Sequence, residues 1–492
     1  MQEYFYKLYN DFSIIMQTST DFLRHYEAEY IYISYFILFF GLLQNAIYLI
    51  QVPLAFLEIF TKKRWYDTKE HSWWLLTSKI TEKISIIIPA YNESVGIKTN
   101  IYSILSIKYP NFDVIIVNDG SKDNTLDILI KEFDLYKTNM AYEDGTPHQP
   151  INTIYKSNYY NNMIVIDKQN GGKADAINAG INLSRSPLFC VVDADSIIET
   201  ESLLKTMQPF IDDPENLIAV GGMVRIGNGC KVVDGEIKEI NLPKKLLPLF
   251  QTIEYVRAFF MGRLSWSRLG VLTIVSGAFG VFDREAVLKV NGYSTNTIGE
   301  DYELILKLHH HFLQNKIPYK IKFVPEPVCW TEVPEDLHTL KKQRIRWQVG
   351  ALEGFFKYWK MFFNPKYKKI GLIAFPSIFI FDVIGPILEV LGYIMIPLGF
   401  LMGIINAKVL LLFFTIFFII GVLISMLSLI LEEISLARFT NAKDLLKIGL
   451  MAIFENFGYR QITNLWRIIG WKNFLLKKKE WGNMKRKGYE KV

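Results

Sequence analysis

Two aspartates one residue apart, in the run Val192-Asp-Ala-Asp195, are the sharpest chemical signal in this chain. They follow the apolar stretch Pro187-Leu-Phe-Cys-Val-Val192, which reads as a buried strand. Asp193 and Asp195 therefore emerge together at a strand end and can reach one divalent cation. Hard cations such as Mg2+ or Mn2+ take oxygen ligands and commonly share them with substrate phosphates. A bare Asp-x-Asp is also an ordinary polar strand end, so its meaning depends on the neighbouring loops. Asp119, in Val117-Asn-Asp-Gly-Ser121, follows a second apolar run, and its glycine suits a tight turn with close ligand approach. The same residues would serve as an Asx-turn or a helix cap through Ser121 or Asp123. Asn170-Gly-Gly-Lys-Ala-Asp175 places a glycine pair and Lys173 at a helix start. Such a terminus favours anions, although the spacing is not that of a Walker loop.

Gly299-Glu-Asp301-Tyr-Glu303 opens a helix predicted through 308. Acidic side chains in a first turn are common because they suit the helix dipole. In a cleft, Asp301 would also qualify as a general base. Gln343, Arg346 and Trp347 fall on one helical face by the i, i+3, i+4 rule. An amide, a guanidinium and an aromatic plate together suit a diphosphate and a stacked sugar ring. A basic amphipathic helix lying on a membrane would read the same way. His309-His-His311 invites a metal reading, but consecutive helical histidines point in different directions. Packing or surface roles are favoured there.

The elements that must position these residues alternate along the chain. Short apolar runs at 84–89, 113–118, 163–166 and 187–192 read as strands. Helix-like stretches lie between them, at 94–106 and 173–183. Strands alternating with helices imply βαβ units and a mostly parallel sheet, and ligands of such sheets bind at the carboxyl ends of the strands. The polar loops after Pro89, Val117 and Val192 are therefore expected to converge on one pocket. Residues 140–160 are polar and read as a surface excursion. No internal repeat is evident.

The chain has 492 residues, of which 50% are hydrophobic, 14% aromatic and 21% charged. That composition excludes intrinsic disorder and departs from an ordinary soluble enzyme. The net charge of +6 is mild and argues against a nucleic-acid partner. The basic residues instead cluster beside apolar runs, at 62–64, 366–369, 477–479 and 485–487, as they do on the cytoplasmic side of membrane spans. The three cysteines, 190, 230 and 329, offer neither a disulfide framework nor a zinc pattern. Five zones follow. Residues 1–30 are a polar-aromatic segment, and 31–60 a retained transmembrane anchor rather than a cleaved signal. Residues 82–360 have the composition of a soluble domain on the cytoplasmic side, with interfacial helices at its C-terminal end. Residues 371–432 are a C-terminal transmembrane bundle, and 433–492 an interfacial or membrane-buried segment with a basic cytoplasmic tail. The stretch 372–404 carries Pro376, Gly385, Pro386 and Pro397 and is too long for one upright helix, so it reads as one kinked span or two short crossings. The basic tail requires an even number of crossings after the catalytic zone: two with 443–470 interfacial, or four with it buried. Asp382 and Glu389 lie inside apolar sequence on similar helix faces.

Pro89-Ala-Tyr-Asn-Glu93, Val117-Asn-Asp-Gly-Ser121, Gly171-Gly-Lys173, Asp193-Ala-Asp195, Ser276-Gly277, Gly299-Glu-Asp301 and Gln343-Arg-Ile-Arg-Trp347 occur in that order. The set resembles the family-2 processive membrane glycosyltransferases: cellulose, chitin, hyaluronan and poly-N-acetylglucosamine synthases. The resemblance implies an α/β GT-A fold beside α-helical transmembrane segments, and an inverting mechanism. It implies that Ala90, Tyr91, Glu93, Asp119, Lys173 and Asp193 bind the nucleotide sugar, with Gln343, Arg346 and Trp347 on the diphosphate. Asp195 with Asp193 would hold Mg2+ or Mn2+. Asp301, beside Glu300, would be catalytic, and Ser276, Gly277 and Trp347 would line the acceptor side. The implied partners are a UDP-sugar donor, a polysaccharide or glycolipid acceptor and the bilayer of the plasma (inner) membrane, with accessory export subunits as a further expectation. The implied activity is extension of a β-linked polysaccharide coupled to its translocation. The alternative is a non-processive transferase that adds one sugar to a polyprenyl phosphate or glycolipid.

Overall fold

The computed structural model describes residues 27–65, 81–233, 235–436 and 441–478. Most of the N-terminal segment and the basic tail from 479 onward lie outside the described residues. Among the described residues stands one mixed sheet of ten strands, in the order β3-β4-β5-β2-β1-β6-β11-β8-β12-β7, with β7 the short edge strand Ile197–Ile198; β9 (Lys231–Val233) and β10 (Glu236–Glu239) form a separate pair. Its centre is the expected parallel unit: β1 (Ile84–Ala90), β2 (Phe112–Asp119), β5 (Met163–Lys168) and β6 (Leu188–Val192). Ile84, Ile86, Ile87 and Ile88 are fully buried, as a strand covered by helices on both faces must be. Helix α4 (Lys173–Leu183) lies so close to β1 that a Cβ on Gly180 would sit 2.5 Å from Ile87 Cγ2. The three site-bearing loops leave one edge because of strand register. Ala90 pairs with Asn118, Asp119 with Lys168, and Ile87 with Val191.

The sheet is mixed rather than uniformly parallel, and this matters for the site. Strand β11 (Phe279–Asp283) runs antiparallel to β6, with Phe279 opposite Val192. Its amino end therefore meets the carboxyl end of β6, which delivers Ser276 and Gly277 beside Asp193. Strands β8 (Leu217–Ile226) and β12 (Lys320–Thr331) pair in parallel and also end at this edge. The excursion expected over 140–160 is corrected in part: Ile151–Ser157 form β4, antiparallel to β5 and to β3 (Leu135–Thr138). Ile154, Tyr155 and Ser157 are buried there, and this strand, second from the sheet's edge and of mixed polarity, lacks the apolar run that marks the central strands.

Among the described residues, three helices are long and apolar enough to cross a membrane. Helix α1 covers Glu27–Trp65. The run Ile370–Leu401 is one continuous span carrying π-helical turns at Ile370–Ala374 and Phe379–Ile384 and Pro397 inside it. The helix is unbroken over the stretch for which the sequence left one kinked span or two short crossings open. The third span is Ala407–Leu436. The helices Ala442–Phe454 and Tyr459–Leu475 are shorter and pack on the rest of the protein rather than standing alone. Ion pairs tie these segments to the catalytic domain: Arg268 to Glu58 at 2.9 Å, Arg225 to Glu432 at 3.2 Å and Arg257 to Glu455 at 3.0 Å.

Candidate active site

The loops after β1 and β2 are laced together before any ligand is considered. Asn92 takes a left-handed backbone, φ +57, and its Oδ1 accepts from the Lys122 amide at 2.8 Å. The Asn92 amide donates to Ser121 Oγ, the Glu93 amide to Thr125 Oγ1 and the Ser94 amide to Asp123 Oδ2. Tyr91, at the turn, stays exposed. Asp119 is buried and anchors the next loop. It accepts from Lys168 Nζ at 2.6 Å and from the amides of Gly171 and Gly172 at 3.0 and 2.8 Å. Gly172 has φ +90, and a Cβ on Gly171 would fall 2.3 Å from Asp175 Cγ, so this turn admits no larger residue without rearrangement. The turn starts α4 and sends Lys173 toward the strand ends.

Lys173 Nζ lies 2.5 Å from Asp193 Oδ1 and 3.5 Å from Glu300 Oε1, and donates to the Gly277 carbonyl at 3.4 Å. Burial alone would depress the ammonium, but the Asp193 and Glu300 carboxylates outweigh it and hold the lysine above its usual range. Burial pushes Glu300 up; Lys173 opposes that rise and the Asp301 charge adds to it. Asp301 Oδ2 accepts from the Gly277 amide at 2.9 Å, and Oδ1 from the Tyr302 amide at 2.8 Å. A Cβ on Gly277 would meet Lys173 Nζ at 2.8 Å, so the close approach of lysine, aspartate and backbone needs glycine.

Helix α9 (Glu300–Gln314) presents Asp301, and helix α10 (Leu337–Lys357) presents Gln343, Arg346 and Trp347. Gly350 of α10 lets the two meet: a Cβ there would lie 3.0 Å from Gly299 Cα. Glu353 accepts from Thr297 Oγ1 and the Ile298 amide, both at 2.9 Å, and fixes the turn into α9. Gln343 Oε1 is buried and makes no hydrogen bond among the described residues.

One cavity of about 2610 Å³ collects these groups. Ala90, Tyr91, Glu93 and Asp119 line one part of it, and Lys173, Asp193, Asp195, Glu300 and Asp301 another. Ser276, Gly277, Gln343, Arg346 and Trp347 line it too, and it extends to Asp382 in the membrane segment. Every residue that the resemblance assigns to the site thus borders one space, whereas His309, His310, His311 and Glu389 do not. Others were missed. Tyr255 reaches the cavity from the end of the helix Leu246–Tyr255, and Phe259 and Arg263 from the π-helical stretch Val256–Arg263, whose spacing no α-helical periodicity detects. The Arg263 guanidinium lies 3.5 Å from the Phe259 ring centroid, and burial pushes it down to about 10.

Among the described residues no three His, Cys, Asp or Glu side chains form a metal cage. Asp193 and Asp195 remain as two hard oxygen donors at the strand end, one of which Lys173 already engages. That donor set fits a cation completing its shell with diphosphate oxygens and water, as Mg2+ and Mn2+ usually do. It does not fit a site enclosed by protein. His309 is no ligand: it is buried, with Nε2 at 2.7 Å from the Leu272 carbonyl and Nδ1 at 2.5 Å from the Tyr319 hydroxyl.

Two domain families match this chain. Glycosyl transferase family 2 covers residues 85–288, and glycosyl transferase family group 2 covers 188–431. Among curated proteins, it is 33% identical over 273 residues to a poly-beta-1,6-N-acetyl-D-glucosamine synthase of Staphylococcus aureus, 55% of each chain. It is 32% identical over 292 residues to the protein of that name from Staphylococcus epidermidis, 59% of each chain. The chain thus spans less than two thirds of the length of these relatives. Among solved structures, a mannosyltransferase from Pyrobaculum calidifontis in complex with GDP-Man and Mn2+ shares the fold. Its TM-score is 0.53 at 14% identity, over 90% of this chain and 100% of that one.

Proposed function

We propose that this chain, a family-2 glycosyltransferase by the two domains that span 85–431, moves a sugar from a UDP-sugar to the end of a growing β-linked polysaccharide. One observation carries the reading: Asp301, the Asp193–Asp195 pair and the Gln343–Arg346–Trp347 face border the same cavity. The staphylococcal relatives are named for a β-linked N-acetylglucosamine polymer, which makes N-acetylglucosamine the first sugar to test.

Asp301 takes the proton of the acceptor hydroxyl at attack, since a sugar hydroxyl is a poor nucleophile until a carboxylate relieves it of that proton. The Gly277 amide holds one oxygen of the base and the Tyr302 amide the other, which fixes the carboxylate's direction. Attack opposite the leaving group inverts the anomeric carbon in one displacement, so a single base suffices. Arg346 and Gln343 hold the departing diphosphate, and Trp347 offers its ring to the acceptor sugar. Ser276 and Gly277 border the acceptor. Lys173 balances Asp193 and Glu300 beside the nucleotide. Asp193 and Asp195 would hold Mg2+ or Mn2+, which when bound neutralises charge on the diphosphate. Ala90, Tyr91, Glu93 and Asp119 form the nucleoside end.

The three membrane-length helices make this an integral membrane protein. The basic clusters put the catalytic domain on the cytoplasmic side, where nucleotide sugars are available. One crossing precedes that domain and two follow it, so the product is guided outward along the cavity that reaches Asp382. Incubating the purified protein with a panel of UDP-sugars and Mg2+ or Mn2+ tests the reading. UDP release with a polymer ladder by mass is expected; a single labelled glycolipid would support the non-processive alternative instead.

A further inference from the structure

The helix Tyr459–Leu475, called α14 hereafter, lies beyond residue 431, where the matched domains end, yet it packs along α10. Its grip falls on Arg344 and Gln348, which stand either side of the Arg346–Trp347 pair in the sequence. On one side is Arg344, itself buried. Its Nη2 donates to Glu254 Oε2 at 2.7 Å and to the Tyr459 hydroxyl at 3.3 Å, and that hydroxyl donates to the same Glu254 oxygen at 2.7 Å. The Arg344 guanidinium sits 4.3 Å from the centroid of the Trp347 ring, so it backs the indole that borders the cavity. On the other side is Gln348. Its Oε1 accepts from Arg467 Nε at 2.7 Å, and its Nε2 donates to the Asp382 carbonyl at 2.6 Å. Arg467 Nη2 also reaches Asp382 Oδ1 at 2.9 Å. Gly470 permits the contact: a Cβ there would lie 2.7 Å from Gln348 Cβ.

We propose that α14 is a positioning element of the transfer site, in which Tyr459 and Arg467, acting through Arg344 and Gln348, hold the Trp347 ring toward the acceptor. The inference rests on the transfer reading above. Trp347 is 43% exposed, so packing on its cavity side does not fix its ring, and the stack on Arg344 has to. Arg344 in turn keeps its place because Glu254 neutralises it and Tyr459 completes the triangle. None of these residues borders the nucleoside end of the cavity. Their loss should therefore separate acceptor handling from donor binding.

The test uses the full-length protein in nanodiscs, with Arg467→Gln and Tyr459→Phe. The second variant removes one hydroxyl and keeps the ring that packs against Phe250. Three quantities are read: UDP affinity, KM for a β-linked oligosaccharide of the wild-type product's sugar, and product length. Arg467→Gln is expected to raise acceptor KM about tenfold and Tyr459→Phe several-fold, with shorter products. UDP affinity is expected to stay within about twofold of wild type. A merely scaffolding helix would lower the yield of active protein and leave KM and product length alone. Wild-type KM and product length in both variants, or UDP affinity falling in step with KM, would overturn the inference. A wild-type protein that transfers nothing overturns the underlying reading instead, and wild type alone tells the two failures apart.

Discussion

Asp301, Lys173 and the Asp193–Asp195 pair were legible from residue type and spacing, because each stands where a strand or turn hands the chain to a helix. Their mutual geometry was not legible. Lys173 joins Asp193 and Glu300 across 20 and 127 residues of sequence only because β11 runs antiparallel to β6. Lys173→Met would leave both carboxylates without that counter-charge, beside a diphosphate that is also negative. A fall in UDP-sugar affinity of about tenfold or more is expected, measured by titration calorimetry. Arg344 escaped the sequence reading altogether, since its value lies in Glu254 and Tyr459, 90 and 115 residues away. His309 was correctly read as packing rather than metal-binding, and it carries a pH dependence. Burial pushes it down to about 4 from its ordinary 6.5. Below pH 6.5 the unfolded chain takes up a proton that the folded chain refuses, so stability is lost as pH falls from 6.5 toward 4. The loss is on the order of 3 kcal/mol. Thermal melts at pH 7 and pH 5 should show a smaller drop in His309→Gln than in wild type.

At the scale of elements, the parallel centre of the sheet was legible because its strands are apolar on both faces. β4 was not, because this strand, second from the sheet's edge, mixes polar and apolar residues as a loop does. The helix pair α9 and α10 shows what spacing cannot carry. Each motif was visible, but their meeting depends on Gly299 and Gly350 approaching through bare backbone. Gly350→Ala should push the start of α9 away from α10 and misplace Asp301 relative to Trp347. A loss in transfer rate of about tenfold is expected, since the backbone at the contact must give by a few tenths of an ångström, with the protein still folded by melting. The short helices after residue 441 are held by charge as well as by packing. Glu455 is fully buried and paired with Arg257 and Arg460 at 3.0 and 3.2 Å. The arginines outweigh the burial penalty and hold its carboxyl down at about 2. Glu455→Gln would leave two arginines facing a neutral amide, at a cost of about 3–5 kcal/mol. The expected sign is a lowered melting temperature.

At the scale of the molecule, the apolar excess of the composition divides into one helix before the catalytic domain and two after it. The basic clusters then give a sidedness that labelling can check. Single cysteines replacing Lys366 and Lys478 should react with an impermeant thiol reagent only from the cytoplasmic side, and one replacing Asn406, between the last two spans, only from outside. All three positions are exposed, and the native cysteines 190, 230 and 329 are buried. The ion pairs at Glu58 and Glu432 tie the catalytic domain to two of the membrane-length helices, and the pair at Glu455 ties it to the segment after them. The central claim is that Asp301 activates the acceptor in that cavity. Its most direct test is product mass from wild type and Asp301→Asn given the same UDP-sugar and divalent cation, with UDP affinity measured in parallel. The account predicts a polymer ladder from wild type and none from Asp301→Asn, with UDP affinity retained. A normal polymer yield from Asp301→Asn would contradict it.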